Sequence, residues 1–585
     1  MTIASPGAPR CAEPLYLGSA ERPWFAWLQR AAPAIDTGVG LVIVPPFGFE
    51  AVCAHRALLH LATDCAAAGV SAVRIDLDGT GDSAGDDLDP DRIASWIASV
   101  GAAADLLRAN GASRVVLVGV RLGALLAVLA AADRRDIAGV VAIAPVVSGR
   151  RWLREMHALQ LALGLAPTPP AHESGADVRE AIGFALTVAT CETIAVIDLE
   201  KLPPPTVPAM LVIDRRDMVV GEKWVAHLRE AGVEVEHRLL PGYTEMMLDP
   251  HRTEIPVEIL AATVAFAVAR PLLESAQPAS AVVPFQRACL GNVVEEPVAI
   301  DVALRAIVTR PVNGQPRRAL VLLNAGSVRR VGPNRLYVLI ARRLAAELGI
   351  LVVRVDLSGI GDSAPRGGMP ENLVYHAHAL GDVEAIVAWC HREGAVDVDL
   401  AGLCSGGYYA REAAVTGQPL HGIFAINPGA PGVPDAPSPY KAAAQSARYR
   451  QLLRTTDGWK RLLSGGFDSA TLRRLVRTAT ARACGLVGNL ARRGLRRVGI
   501  HMPGDAGAAL VDVAARQIAI TFVFCADEPG LIVLREQAGD VIAQLERRGA
   551  LSLRVLDGID HTFTPRWSHE VLHDELRVAL TRTMP

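Results

Sequence analysis

Short, nearly uninterrupted runs of Val, Leu, Ile and Ala recur along the chain, separated by longer stretches whose apolar residues return at helical spacing. GLVIVPPFG (40–48), VVLVGVRLGA (115–124), ALVLLNAGS (319–327) and VDLAGLCSGG (398–407) are examples. A strand that is apolar throughout, instead of alternating with polar residues, is buried on both faces, as happens in a parallel sheet whose crossovers are helices. The expected fold is therefore α/β, with mostly parallel sheets covered by helices.

The pattern is written twice. VRIDLDGTGDSAG (73–85) returns as VRVDLSGIGDSAP (353–365), with Asp76 and Asp356 280 residues apart. Gly119 and Gly402, each opening a strand-to-helix turn, are 283 apart, and Gly242 and Gly558, in late turns, are 316 apart. Such self-similarity marks a duplicated unit. The growth in offset falls between the elbow and the late turn, so a helical lid is expected in the second copy, at about 433–512. PLLESAQPASAVVPFQ (271–286) lacks periodicity and reads as connector. The expected domains are 1–275 and 291–585, joined by a linker at 276–290.

A glycine-flanked turn between strand and helix is where this kind of sheet presents a nucleophile. In that register the second copy holds Cys404, between Gly402 and Gly406. Ser405 fails the register, because the position two before it is Leu403. Helix N-termini favour thiolates. Downstream, CADEPG and GIDHTFTP supply an acid, Glu528 or Asp527, and then His561, the order a nucleophile–acid–histidine triad requires. Oxyanion donors are expected from the backbone N–H of Ser405 and from the Gly326–Ser327 loop. The first copy keeps the punctuation and loses the chemistry: Arg121 stands at the elbow and Glu245 at the late turn. Arginine is neither nucleophile nor base at neutral pH. The expectation is a non-catalytic half in which a buried Arg121 pairs with Glu245 or Asp217 and plugs the old pocket, the competing reading being an anion site at Arg121.

This order of elements resembles the α/β-hydrolase fold along almost the whole chain. The first half, with PPFGFE, DLDGTGDSAG and GVRLGALLA, resembles hydrolases associated with the exosortase A system, a bacterial exopolysaccharide and protein-sorting context. The second, with NAGSVRRVGPNRLYVLIAR, DLSGIGDS and GLCSGG, resembles a sister bacterial hydrolase family, and its elbow is similar over six residues to those of polyhydroxyalkanoate synthases. The resemblance implies two tandem α/β-hydrolase domains, the second an acyl hydrolase or acyltransferase for an ester or thioester. The contrasting expectation is a non-catalytic scaffold or binding protein in an exopolysaccharide or secondary-metabolite biosynthetic system.

Composition narrows partners more than chemistry. A formal net charge of -2 gives no global attraction to nucleic acid or anionic membrane. The nine cysteines are scattered without CxxC pairs, which argues against a disulfide framework or a zinc site. No metal or cofactor is expected. The N-terminus has no leader pattern, so a cytoplasmic protein without a membrane span is expected. Residues 441–500 carry fourteen Lys or Arg against two acids. That excess suits an acyl substrate carried on coenzyme A or an acidic carrier protein, or peripheral contact with anionic lipid.

Overall fold

The computed structural model describes residues 12–90, 92–162, 178–270, 284–429, 487–496, 498, 500 and 502–582. The linker expected at 276–290 lies in large part, and the lid expected at 433–512 for most of its length, outside the described residues. Mostly parallel strands covered by helices carry the chain, as the apolar runs require.

The first sheet is built from β1 (Ala12–Gly18), β2 (Pro23–Gln29), β3 (Val39–Val44), β4 (Val70–Ile75), β5 (Arg114–Val120), β6 (Ile137–Ile143), β9 (Ala209–Arg215) and β10 (Glu234–Leu240). Its order is β1-β2-β4-β3-β5-β6-β9-β10, while β7 (Val178–Ala181) and β8 (Phe184–Thr187) form a separate hairpin. From β4 onward all pairings are parallel. Successive side chains of β3 leave opposite faces. Val42 and Val44 join Leu117 and Trp96 in one buried cluster, and Leu41 and Ile43 join Val116 and Val118 in another. The helices Arg92–Ala109 and Leu122–Ala132 cover the first face, and Phe49–Ala67 and Val257–Val268 the second.

The later strands are β11 (Ala288–Leu290), β12 (Val293–Ala299), β13 (Arg305–Pro311), β14 (Arg318–Leu323), β15 (Leu351–Asp356), β16 (Asp397–Leu403), β17 (Gly422–Ile426), β18 (Ala519–Cys525) and β19 (Leu551–Leu556). Compactness in space divides the chain differently from the repeat. One unit comprises residues 1–314, 327–373 and 564–571, and the other 315–326, 374–563 and 572–585. Within the first unit, β11, β12, β13 and β15 pair successively antiparallel. Within the second, β14, β16, β17, β18 and β19 pair successively parallel.

The repeated GDS turns both fall in the first unit and are built alike. Asp82 N–H donates to the Asp76 carboxylate and Ser83 Oγ to the Asp76 carbonyl. Asp362 N–H and Ser363 Oγ do the same with Asp356. They also anchor a buried ion network that the motif alone did not announce. Arg330 reaches Asp82, Asp356 and Asp362, Arg74 reaches Asp362, and Arg354 reaches Asp82 and Glu295. The exchange is reciprocal, since Arg74 and Arg354 are equivalent in the repeat and so are Asp82 and Asp362. Among the described residues, no helix is long and apolar enough to cross a membrane.

Candidate active site

Strand β16 ends at Leu403, and the helix Ser405–Val415 begins one residue after Cys404. Cys404 itself has φ 58°, the left-handed region that non-glycine residues occupy only where surroundings enforce it. The enforcing contacts are visible. Cys404 N–H donates to the Ile426 carbonyl on neighbouring β17 at 2.9 Å, and a Cβ on Gly406 would come within 2.6 Å of the Leu323 carbonyl oxygen. Glycine is therefore required there by close approach of backbones.

The Cys404 thiol is half-buried and close enough to His561 to bear on the titration of its ring. The other ring nitrogen, Nδ1, lies 2.7 Å from Glu528 Oε1. Burial alone would lower the ring's pKa; its interactions with Cys404 and with Glu528 outweigh that and hold it up at about 10. Glu528 is buried at the N-cap of the helix Pro529–Arg547, while Asp527 is exposed beside it, so the geometry separates the two acids the sequence left open.

Two side chains absent from the sequence reading complete the surroundings. Asn427, with φ 41°, donates from Nδ2 to the His561 carbonyl at 2.8 Å and accepts at Oδ1 from Cys525 N–H at 2.8 Å. It ties the end of β17 to the histidine loop. Tyr375 packs edge-on to Tyr408, with centroids 5.5 Å apart. A Cβ on Gly429 would meet the Tyr375 hydroxyl at 2.5 Å and Cys404 Sγ at 3.5 Å, so hydroxyl and sulfur flank one glycine. Neither residue sits in a motif, and only the end-of-strand position of Asn427 could have pointed to it.

The oxyanion expectation needs correction. Gly326 N–H donates to Ser405 Oγ at 2.9 Å, and Ser405 Oγ donates to the Asn324 carbonyl at 3.1 Å. The Gly326 donor is thus spent on holding the loop, and the Ser405 hydroxyl is buried in that task. Ser327 groups with the first unit, where its Oγ donates to the Asn372 carbonyl.

At the first elbow the backbone is nearly the same. Arg121 has φ 53°, follows β5 and precedes the helix Leu122–Ala132, and its N–H donates to the Ile143 carbonyl of β6 at 3.0 Å. The side chain is buried and ion-paired, as expected, but with other partners. Nε donates to Glu50 Oε1 at 2.8 Å and Nη2 pairs with Glu155. Glu245 and Asp217, named from the repeat, are exposed, and Asp217 pairs with Arg215. The reason is sheet register: Val44 lies opposite Gly119, so the loop after β3 runs past the elbow and delivers Glu50 from the first turn of the next helix.

Of known families, the model of serine aminopeptidase S33, an α/β-hydrolase group, matches residues 54–172, within the first half. No curated protein sequence matches the chain. Several solved structures are similar over part of the chain. Est1E from Butyrivibrio proteoclasticus, solved with ferulic acid, shares 18% identity over 44% of this chain and 100% of its own, at a TM-score of 0.33. An esterase from the archaeon Pyrobaculum calidifontis shares 16% over 49% and 84%, at 0.29. A proline iminopeptidase from Mycobacterium smegmatis shares 16% over 44% and 97%, at 0.30. At such identity and TM-score these likenesses carry no functional argument.

Proposed function

We propose that the second half is an acyl hydrolase or acyltransferase for esters or thioesters, working through Cys404, His561 and Glu528. The observation that carries the reading is an imidazole, His561, hydrogen-bonded at 2.7 Å to the buried Glu528 carboxylate and influenced by the nearby Cys404 thiol, with the sulfur at a strained strand-to-helix elbow. The Cys404 thiolate attacks the acyl carbonyl carbon, and the carbonyl electrons move onto oxygen at the N-terminus of the helix Ser405–Val415, where the Ser405 N–H stabilises them. The tetrahedral adduct collapses, the bond to the leaving alkoxide or thiolate breaks, and the His561 imidazolium protonates the departing group. Neutral His561 then takes a proton from water, an alcohol or an amine as that nucleophile attacks the acyl-enzyme, and the thiolate is released. Glu528 keeps the ring oriented and favours its charged form.

The rest of the reading is that the chain is a duplicated α/β-hydrolase unit whose first copy is closed by Arg121 and does no chemistry. The mirrored bonds support it: Arg121 N–H to Ile143 and Ala144 N–H to Ile213 in one copy, Cys404 N–H to Ile426 and Asn427 N–H to Val523 in the other. The basic composition of 441–500 supports an acyl group delivered on coenzyme A or a carrier protein.

The test is intact-mass and peptide mapping after exposure to acetyl-, hexanoyl- and benzoyl-coenzyme A. Cys289 is exposed and would react without any catalytic meaning, so the measurement is made in Cys289→Ser protein. A single acyl adduct on Cys404 that turns over with added water or amine is expected. Absence of a Cys404 adduct with every donor would refute the assignment.

A further inference from the structure

The first compact unit contains a partly open cavity of about 90 Å³, and all the residues lining it belong to that unit. Its apolar wall includes Trp27, Phe47, Phe184 and Leu58. Four arginines also reach it, and they differ in how their charge is met. Arg74 pairs with Asp362 and Arg329 with Asp76, and Asp87, the other carboxylate of the lining, pairs with Arg566. Arg92 and Arg335 have no carboxylate within ion-pair distance among the described residues.

Both of these are buried, at 1% and 7% exposure, and their hydrogen bonds go to backbone carbonyls. Arg335 donates to Gly79, Gly81, Ser83 and Gly85. Arg92 donates to Asp78, Gly79, Asp87 and Ala185 over 3.2 to 3.4 Å, and its Nε has no partner. The two guanidiniums meet on the same Gly79 carbonyl, so like charges stand side by side out of water. Burial pushes the pKa of both down, Arg335 to about 10. Asp86 and Asp87 offset part of both charges from beyond ion-pair distance; a buried charge without a direct partner is costly, and an anion entering the cavity would relieve the remainder. His55 also lines the space, with Nε2 lacking a hydrogen-bond partner and lying 3.5 Å from Asp362 Oδ1.

Size limits the ligand. The volume is roughly six to nine times what one water needs, and well below the roughly 300–1,000 Å³ of pockets for drug-sized molecules. We infer that this cavity is a binding site for a small amphipathic monocarboxylate, its apolar body among Trp27, Phe47 and Phe184 and its carboxylate on Arg92 and Arg335. The assignment is independent of the chemistry proposed for Cys404.

The experiment titrates the full chain with benzoate and with hexanoate, following heat and tryptophan fluorescence, against benzyl alcohol and hexanol. Saturable binding of at least one acid is expected, at least tenfold tighter than its alcohol. Ala51→Trp fills the cavity without removing a charge, since Ala51 lines it, and Arg92→Met removes a charge while keeping bulk. Each should weaken acid binding tenfold or more in protein whose circular dichroism is unchanged. If either variant fails to fold, the acid–alcohol comparison on the unaltered chain decides. The inference is overturned if neither acid saturates by about 10 mM, if acid and alcohol bind alike, or if folded Ala51→Trp protein binds as tightly as the parent.

Discussion

The two elbows have the same backbone and opposite fates. Arg121 and Cys404 both take a left-handed φ at the end of a central strand, and both donate their N–H to the strand next in order. What differs is what the surroundings do with the side chain. Around Cys404 a histidine and a buried acid line up behind a half-buried sulfur. Around Arg121, Glu50 and Glu155 close on a charge that is almost wholly out of solvent. The lesson is that a strained turn preserves a position, while chemistry depends on partners supplied from distant segments.

The largest effects should come from trying to equalise the elbows. Cys404→Ala and His561→Ala should each lower acyl turnover by a factor on the order of 10³ or more, and by similar amounts, because triad members act as a unit. Arg121→Cys should create no second activity, since Glu245, at the position of the late histidine, is exposed. A measurable acyl-enzyme on residue 121 would break the contrast.

Next in size is the seal. Glu50→Ala leaves Arg121 without its best-buried partner and should destabilise the first unit by about 3–5 kcal/mol in denaturant titration. Glu155 is a third exposed, so its removal should cost less. Turnover per folded molecule at Cys404 should be unchanged.

Asn427→Ala tests whether the second elbow depends on the clamp to the His561 loop. Turnover should fall about 10- to 100-fold, as for other residues that orient a catalytic group, and the alkaline limb of the pH profile should shift. A stability loss with an unmoved pH profile would show a merely structural role.

The pH profile itself sharpens the comparison. Because His561 is held at about 10, above its ordinary value of 6.5, turnover should fall as pH rises through about 10 and the leaving group loses its acid. The linked contribution to stability is fully present below about 6.5 and is lost as pH rises toward 10. A fall centred near 6.5 would contradict the arrangement. The smallest effect is expected for Glu245→Ala, within about 0.5 kcal/mol, as for other exposed substitutions.

Much of this was legible in the residues themselves. Uninterrupted apolar runs dictate strands buried on both faces, and the GDS and elbow motifs recur in both halves of the sequence. Glycine pairs around Cys404 and Arg121 mark turns where backbones touch. Chain order singled out His561 and the acids at 527 and 528, and the structure brings His561 to Glu528. Local patterns carry such information because strand, turn and helix propensities act over a few residues. Tertiary structure decided everything that depends on which distant segments meet. It buried Glu528 against His561 and left Asp527 exposed. It gave Arg121 to Glu50, because β3 and β5 are neighbours in the sheet. It spent the Gly326 donor on Ser405, and it left Arg92 and Arg335 at a cavity whose carboxylates, Asp76 and Asp87, pair with other arginines. Register and burial are set by the whole packed sheet, and no repeat or motif encodes the identity of a partner lying outside it.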